Sequence, residues 1–120
     1  RGKNTSVEMA VRKIIFSMGY RYRLHAKDLP GKPDLVFRKK RKVVFIHGCF
    51  WHQHKGCKDG HIPKSNGTYW KPKLRKTVKR DMANQKKLLA DGWRILVVWE
   101  CYLSGLEKLG KKIKNFLDTA

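Results

Sequence analysis

An α/β fold, a mixed sheet flanked by helices, is predicted on three observations. Apolar residues recur at helical spacing near both ends of the chain. Short apolar runs, bounded by Gly, Pro and charged residues, lie between them. The resulting order is α, three strands, a long loop, α, β, α, an alternation that places helices against a sheet. At 120 residues the chain supports one core, so residues 1–120 are read as a single domain.

The elements follow in order. Thr5-Ser6-Val7-Glu8 reads as a helix start, and Val7, Val11, Ile14, Ile15 and Met18 share one face, with Gly19 as the stop. Tyr20 to Leu24 alternates as a strand does. Leu29-Pro30-Gly31-Lys32-Pro33 is a turn feeding a short strand, Asp34 to Phe37. The basic run Arg38 to Lys42 reads as a hairpin connection into a second apolar strand, Val43 to His47. From Gly48 to about Lys76 the chain reads as an irregular loop, which inside a compact domain points to function or a cross-link. A helix is expected from about Thr77 to Asp91, ending at Gly92, then a buried strand from Trp93 to Trp99. Leu103 to Leu117 closes as an amphipathic helix.

Charge narrows the function. Lys and Arg number 29 against 9 Asp and Glu, a net charge of +20. That excess repels itself in a folded chain, and a polyanionic partner relieves it. Nucleic acid fits best, since each phosphate neutralised releases counterions. No apolar run approaches the roughly 20 residues needed to span a bilayer, and no signal peptide is visible. The chain opens at Arg1 rather than Met, consistent with an upstream segment having been trimmed. An odd count of three cysteines argues against a disulfide framework and for a reducing compartment.

The cysteines and histidines have metal-ligand spacing. Cys49, His54 and Cys57 lie in one segment, Cys-Phe-Trp-His-Gln-His-Lys-Gly-Cys, and Cys101 follows the last strand. Thiolates and imidazoles suit Zn²⁺, and a closed four-ligand set is structural. It would hold the long loop in one shape. His52 competes with His54 for the third place. A second chemical signal is Pro33-Asp34 entering a strand, with His47 ending the next. A carboxylate on a sheet rim can hold Mg²⁺, which prefers oxygen ligands, although Asp is also a common turn residue. Glu8, three residues after Thr5, equally suits a capping box.

Phe45-Ile46-His47-Gly48-Cys49-Phe50-Trp51-His52, preceded by Leu29-Pro30-Gly31-Lys32-Pro33-Asp34 and followed by Val97-Val98-Trp99-Glu100-Cys101, closely resembles the very short patch repair endonucleases. The likeness runs from about Arg1 to Leu109. It implies a restriction-endonuclease-like fold of the PD-(D/E)XK superfamily with a structural zinc site. It also implies Mg²⁺-dependent nicking of one strand at T:G mismatches in mismatch repair. By position, Asp34 resembles the family's metal-binding aspartate, and Ile46 would give its main-chain carbonyl to the same Mg²⁺. His47 and His52 resemble the active-site histidines, with His52 favoured as acid/base or charge stabiliser. Glu8 resembles the acid that orders metal-bound waters. Cys49, His54, Cys57 and Cys101 match the zinc ligands. Phe50, Trp51 and Trp70 match aromatics that wedge beside the mismatch, with Lys71 and Lys73 suited to phosphate or base-edge contacts. Asp81 matches an acid that supports a histidine.

Some positions depart from the family. Ile46 stands where one branch has Thr, a swap that a backbone ligand tolerates. One extra residue falls near Gly56 in the zinc loop. The DNA-gripping N-terminal arm is expected to be absent or nearly so, and the second strand lacks a Glu-x-Lys pair. The partners implied are double-stranded DNA with a T:G mismatch and mismatch-repair proteins, for a monomer in the bacterial cytoplasm, near the nucleoid. The competing readings are a zinc-bound DNA-binding module without catalysis, or a nuclease of this scaffold with another DNA target.

Overall fold

The computed structural model describes residues 5–24, 26–49 and 67–119. Helix α1 spans Thr5–Ser17, with Val7, Val11 and Ile15 fully buried. It ends as Gly19 implied. The Tyr20 N–H reaches back to the Ile15 carbonyl (3.4 Å), the Gly19 N–H to Phe16 (3.0 Å), and Gly19 takes φ +84°. This is the Schellman arrangement, in which a left-handed residue turns the chain off the helix. Strands β1 (Arg23–Leu24), β2 (Leu35–Phe37) and β3 (Lys42–His47) follow. Then come α2 (Gly67–Ala90), β4 (Arg94–Trp99), a 3-10 helix (Glu100–Gly105) and α3 (Leu106–Asp118).

Among the described residues the sheet order is β1-β2-β3-β4. The first two pairings are antiparallel, with Leu35 opposite Val44. The third is parallel, from Lys42 opposite Arg94 to His47 opposite Trp99. A parallel pair needs a long crossover, and the segment carrying α2 provides it. Strand side chains alternate between faces, and helices cover both. Leu35, Phe37, Val44 and Val98 pack with Val7, Val11 and Ile15 of α1 and Leu109, Ile113 and Leu117 of α3. On the other face Val36, Val43 and Phe45 pack with Leu88 of α2 and with Trp93. The expected mixed sheet between helices is thus present, and no helix among the described residues is long and apolar enough to cross a membrane.

Four expectations need correction. Helix α2 begins at Gly67, ten residues before Thr77, so residues 67–76 belong to a helix and not to the loop. Gly67 and Pro72 disfavour helix locally, and Pro72 lies inside α2, in its second turn, at the cost of one backbone bond and crowding against the preceding turn. Only Arg23 and Leu24 of the Tyr20–Leu24 run pair as a strand, because Tyr20 is held elsewhere: its hydroxyl bonds Asp118 and Lys40 stacks over its ring at 5.0 Å. The last helix starts at Leu106, because the chain leaves β4 through the 3-10 helix and Gly105, its last residue, lies outside the α region at φ −138°, ψ 73°. Lys42 belongs to β3 and is buried, 2 % exposed, rather than lying in a surface connection.

Lys42 is buried for a reason the run Arg38 to Lys42 does not disclose. Its ammonium donates to the carbonyls of Phe116 (2.5 Å), Leu117 (3.2 Å) and Thr119 at the end of α3, acceptors with no partner inside the helix. Its neighbour Arg41 points to the other face, donating to the Asp91 carbonyl (2.5 Å) after α2 and stacking on Trp93 at 4.8 Å. Two consecutive cations therefore close two helices on opposite faces of the sheet. Lys42→Met keeps the apolar stem and deletes the donors. It should lower stability by about 1–3 kcal/mol, read as a lower denaturant midpoint with an unchanged slope.

Candidate active site

The cleft forms at the end of the sheet where β3 and β4 finish and β2 begins, the usual position for a ligand site in such sheets. The turn before β2 sets its first wall. The Lys32 N–H donates to the Leu29 carbonyl at 3.0 Å, Pro30 fixes the second position, and Gly31 takes φ +77°, a type II turn. A Cβ at Gly31 would lie 3.1 Å from Asn84 of α2 and 3.1 Å from the Phe45 ring. Glycine is therefore required both for the backbone angle and for the close approach.

Asp34 follows. It is 4 % exposed. Its N–H donates to the Val44 carbonyl at 3.1 Å, and its Oδ2 accepts the Ile46 N–H at 2.7 Å. In an extended strand the N–H and C=O of one residue lie along the same edge, so the Ile46 carbonyl is directed to the Asp34 side. His47 is the next residue, buried, edge-on to Trp99 with ring centroids 5.1 Å apart and tilted against Phe45 at 5.8 Å. These groups open on a cleft of about 590 Å³ whose other wall is Arg80, Asp81, Asn84 and Gln85 of α2, with Lys32 at its edge.

Sequence reasoning singled out Asp81 and missed Arg80, Asn84, Gln85 and Lys32. A signal existed. Leu74, Val78, Asp81, Gln85 and Leu88 lie at the spacing of one buried helix stripe, and Leu74 and Leu88 are indeed buried. Polar residues at Asp81 and Gln85 interrupt that stripe where the cleft lies.

Glu8 is 8 % exposed, in the α1 layer on the other face of the sheet, with Arg12 Nη1 at 3.6 Å from its carboxylate. It is not among the residues lining the cleft. Cys49 and Cys101 each stand two residues beyond the last parallel pair, His47 and Trp99, so both follow the end of the sheet where β3 and β4 finish. The Cys49 N–H donates to Glu100 Oε1 at 3.3 Å. Burial, then the neighbouring Cys101 and Cys49, push the Tyr102 phenol above its ordinary value. The two thiols, one buried and one half-buried, both act on the Tyr102 phenol and are of the kind that suits a soft cation. No cluster of three metal-binding side chains occurs among the described residues. Phe50, Trp51, His52, His54 and Cys57 lie outside them, as does the Trp70 side chain. Lys71 and Lys73 are exposed near the start of α2.

Comparison with known proteins places this geometry. The profile of the DNA mismatch endonuclease Vsr family matches residues 1–58. The type II nicking enzyme V.XorIIP of Xanthomonas oryzae pv. oryzae is 52 % identical over 118 residues, 98 % of this chain and 86 % of the relative. V.NmeAIP, a type II nicking enzyme of Neisseria meningitidis, is 44 % identical over 120 residues, 97 % and 85 % of the two chains. The DNA mismatch endonuclease Vsr of Escherichia coli is 39 % identical over 107 residues, 89 % of this chain and 68 % of its own. The chain belongs to the Vsr family of strand-nicking DNA mismatch endonucleases.

Proposed function

We propose that this chain nicks one strand of duplex DNA beside a T:G mismatch in Mg²⁺, in very short patch repair, with a structural zinc bracing the loop after β3. The observation that carries the reading is Asp34: a buried carboxylate held by the Ile46 N–H, facing a cleft with His47 on one side and Arg80 on the other. A carboxylate oxygen with a main-chain carbonyl directed to the same side suits a hard cation. Asp34 and the Ile46 carbonyl would hold Mg²⁺, with Glu8 ordering its waters from the α1 side. Bound there, Mg²⁺ supplies positive charge beside the scissile phosphate and a more acidic water.

The chain's own side chains do the rest. Arg80 and Lys32 face the cleft as cations able to take charge that builds on the phosphate oxygens. His47, wedged between Phe45 and Trp99, has a fixed ring plane. His52 transfers a proton to or from the reacting oxygens. Cys49 and Cys101, with His54 and Cys57, would hold zinc, which supplies a cross-link between the end of β3 and the end of β4.

Mismatch recognition is assigned to Phe50, Trp51 and Trp70, with Lys73 gripping the backbone or a base edge. Inserting an aromatic wedge costs a few kcal/mol per unstacked step, least where pairing is already weak. Trp51→Ala should therefore lower the T:G preference by about 1–3 kcal/mol and change matched-duplex binding little. Equal losses on both duplexes would assign Trp51 to loop packing. The activity itself is tested on supercoiled plasmid carrying one T:G pair. Mg²⁺ should convert it to open circles and not to linear DNA, whereas linear product or no conversion would reject strand nicking.

A further inference from the structure

We propose that a basic groove at the opposite end of the sheet is a second, sequence-independent DNA site, which takes the phosphate backbone of a separate duplex segment. The groove, about 800 Å³, runs between the exit from α1 and the β2–β3 hairpin, with Arg21, Arg23, Arg38, Lys39 and Lys40 on its rim and Val36 and Phe37 among its lining residues. Register fixes its position. Phe37 pairs with Lys42 at the start of β3, whereas Asp34 and His47 lie at the other end. Five residues at roughly 3.3 Å each separate the two ends of β3, about 17 Å. A duplex that crosses the catalytic end at right angles to β3 leaves the groove to another segment.

The rim cations are poorly neutralised. Arg38 bonds Asp28 at 2.8 Å and Lys40 lies over Tyr20. Arg21, Arg23 and Lys39 are exposed and pair with no carboxylate among the described residues. Arg94 adds a further cation opposite Lys42. Asp118, which accepts from Tyr20 and Lys114, adds one carboxylate near Lys40. A polyanion relieves such crowding, and guanidinium forks match phosphate oxygens in pairs. Cationic rim groups above an apolar floor grip the backbone without reading bases. An enzyme with two such ends can hold one duplex while capturing a second, which allows direct transfer between segments.

This rests on the cleft being the DNA-cutting end, and a labelled T:G duplex left uncut in Mg²⁺ would undermine that reading separately. The test of the groove is the dissociation rate of the protein from a labelled T:G duplex as unlabelled matched duplex is added. The rate should rise with competitor concentration for the unaltered chain and for Lys108→Ala/Lys111→Ala, which removes two cations from α3. It should be flat for Arg21→Ala/Arg23→Ala. Where the pair partly retains the effect, its log–log salt slope should fall by about 1.8, at about 0.9 for each phosphate left without its cation. If that pair unfolds, Lys39→Ala in the exposed hairpin should weaken the same dependence. A flat response in the unaltered chain, or an undiminished one in the groove variant, overturns the proposal. So does an equal loss of T:G binding without competitor, which would make the groove part of the primary footprint. Acceleration by polyglutamate and not by DNA would reassign it to an acidic protein.

Discussion

Asp34→Asn should reduce nicking in Mg²⁺ by about a thousandfold or more, some 4 kcal/mol of transition-state stabilisation, while leaving the fold in place. The asparagine side chain retains an oxygen that can accept the Ile46 N–H, now made at 2.7 Å, so the strand ends stay joined. What it loses is the negative charge that a hard cation needs. DNA binding should hold or tighten, because one repulsive charge leaves a cleft that a phosphate enters. Asp34→Ala should abolish nicking equally and in addition destabilise the protein by about 1–3 kcal/mol, since the Ile46 N–H loses its acceptor. Cutting by Asp34→Asn at the unaltered rate would place the active centre elsewhere.

Cys101→Ala should have the largest effect on the state of the protein. The purified chain should carry about one zinc, since four ligands make one closed site, and this variant should lose it. The parallel register ends at His47 and Trp99, two residues before Cys49 and Cys101. Loss of the ion would remove the proposed cross-link from the segment after Cys49 back to the β4 end. Lower thermal stability and faster proteolysis after Cys49 should follow, whereas a conservative change in the Leu109–Leu117 core stripe would keep its zinc. Elemental analysis finding no zinc in folded, active protein would remove this part of the account.

The layered fold was legible because its signals are periodic. The buried residues of α1 and α3 recur at helical spacing and those of β3 alternate about the sheet, and the stops at Gly19 and Gly92 take the positive φ that only glycine adopts readily. Contacts between distant segments were not legible. Nothing near Lys42 in sequence announces the three carbonyls at the end of α3 that draw it inside. The start of α2 was hidden by Gly67 and Pro72, which weigh against helix locally but are outvoted by the packing of Leu74 and Leu88. At the site, Asp34, Ile46 and His47 were found through their motif, and the structure gathers them in one cleft. Arg80 and Asn84 flank the stripe that carries Asp81 and Gln85, and only the packing of α2 over Asp34 brings them to the cleft. Cys49 and Cys101 were singled out by spacing, and the strand register shows that both follow the same end of the sheet.

The central claim is that this family member cuts one strand at a T:G pair, in Mg²⁺, using the Asp34 cleft. Four duplexes identical except for one central pair, T:G, T:A, C:G or A:C, should be labelled in turn on each strand and incubated with the protein, with and without Mg²⁺. A single cut on one strand, immediately beside the mismatch, in the T:G duplex alone and only with Mg²⁺, is the predicted result. Cuts spread over all four duplexes, cuts on both strands, or unchanged cutting without Mg²⁺ would contradict it.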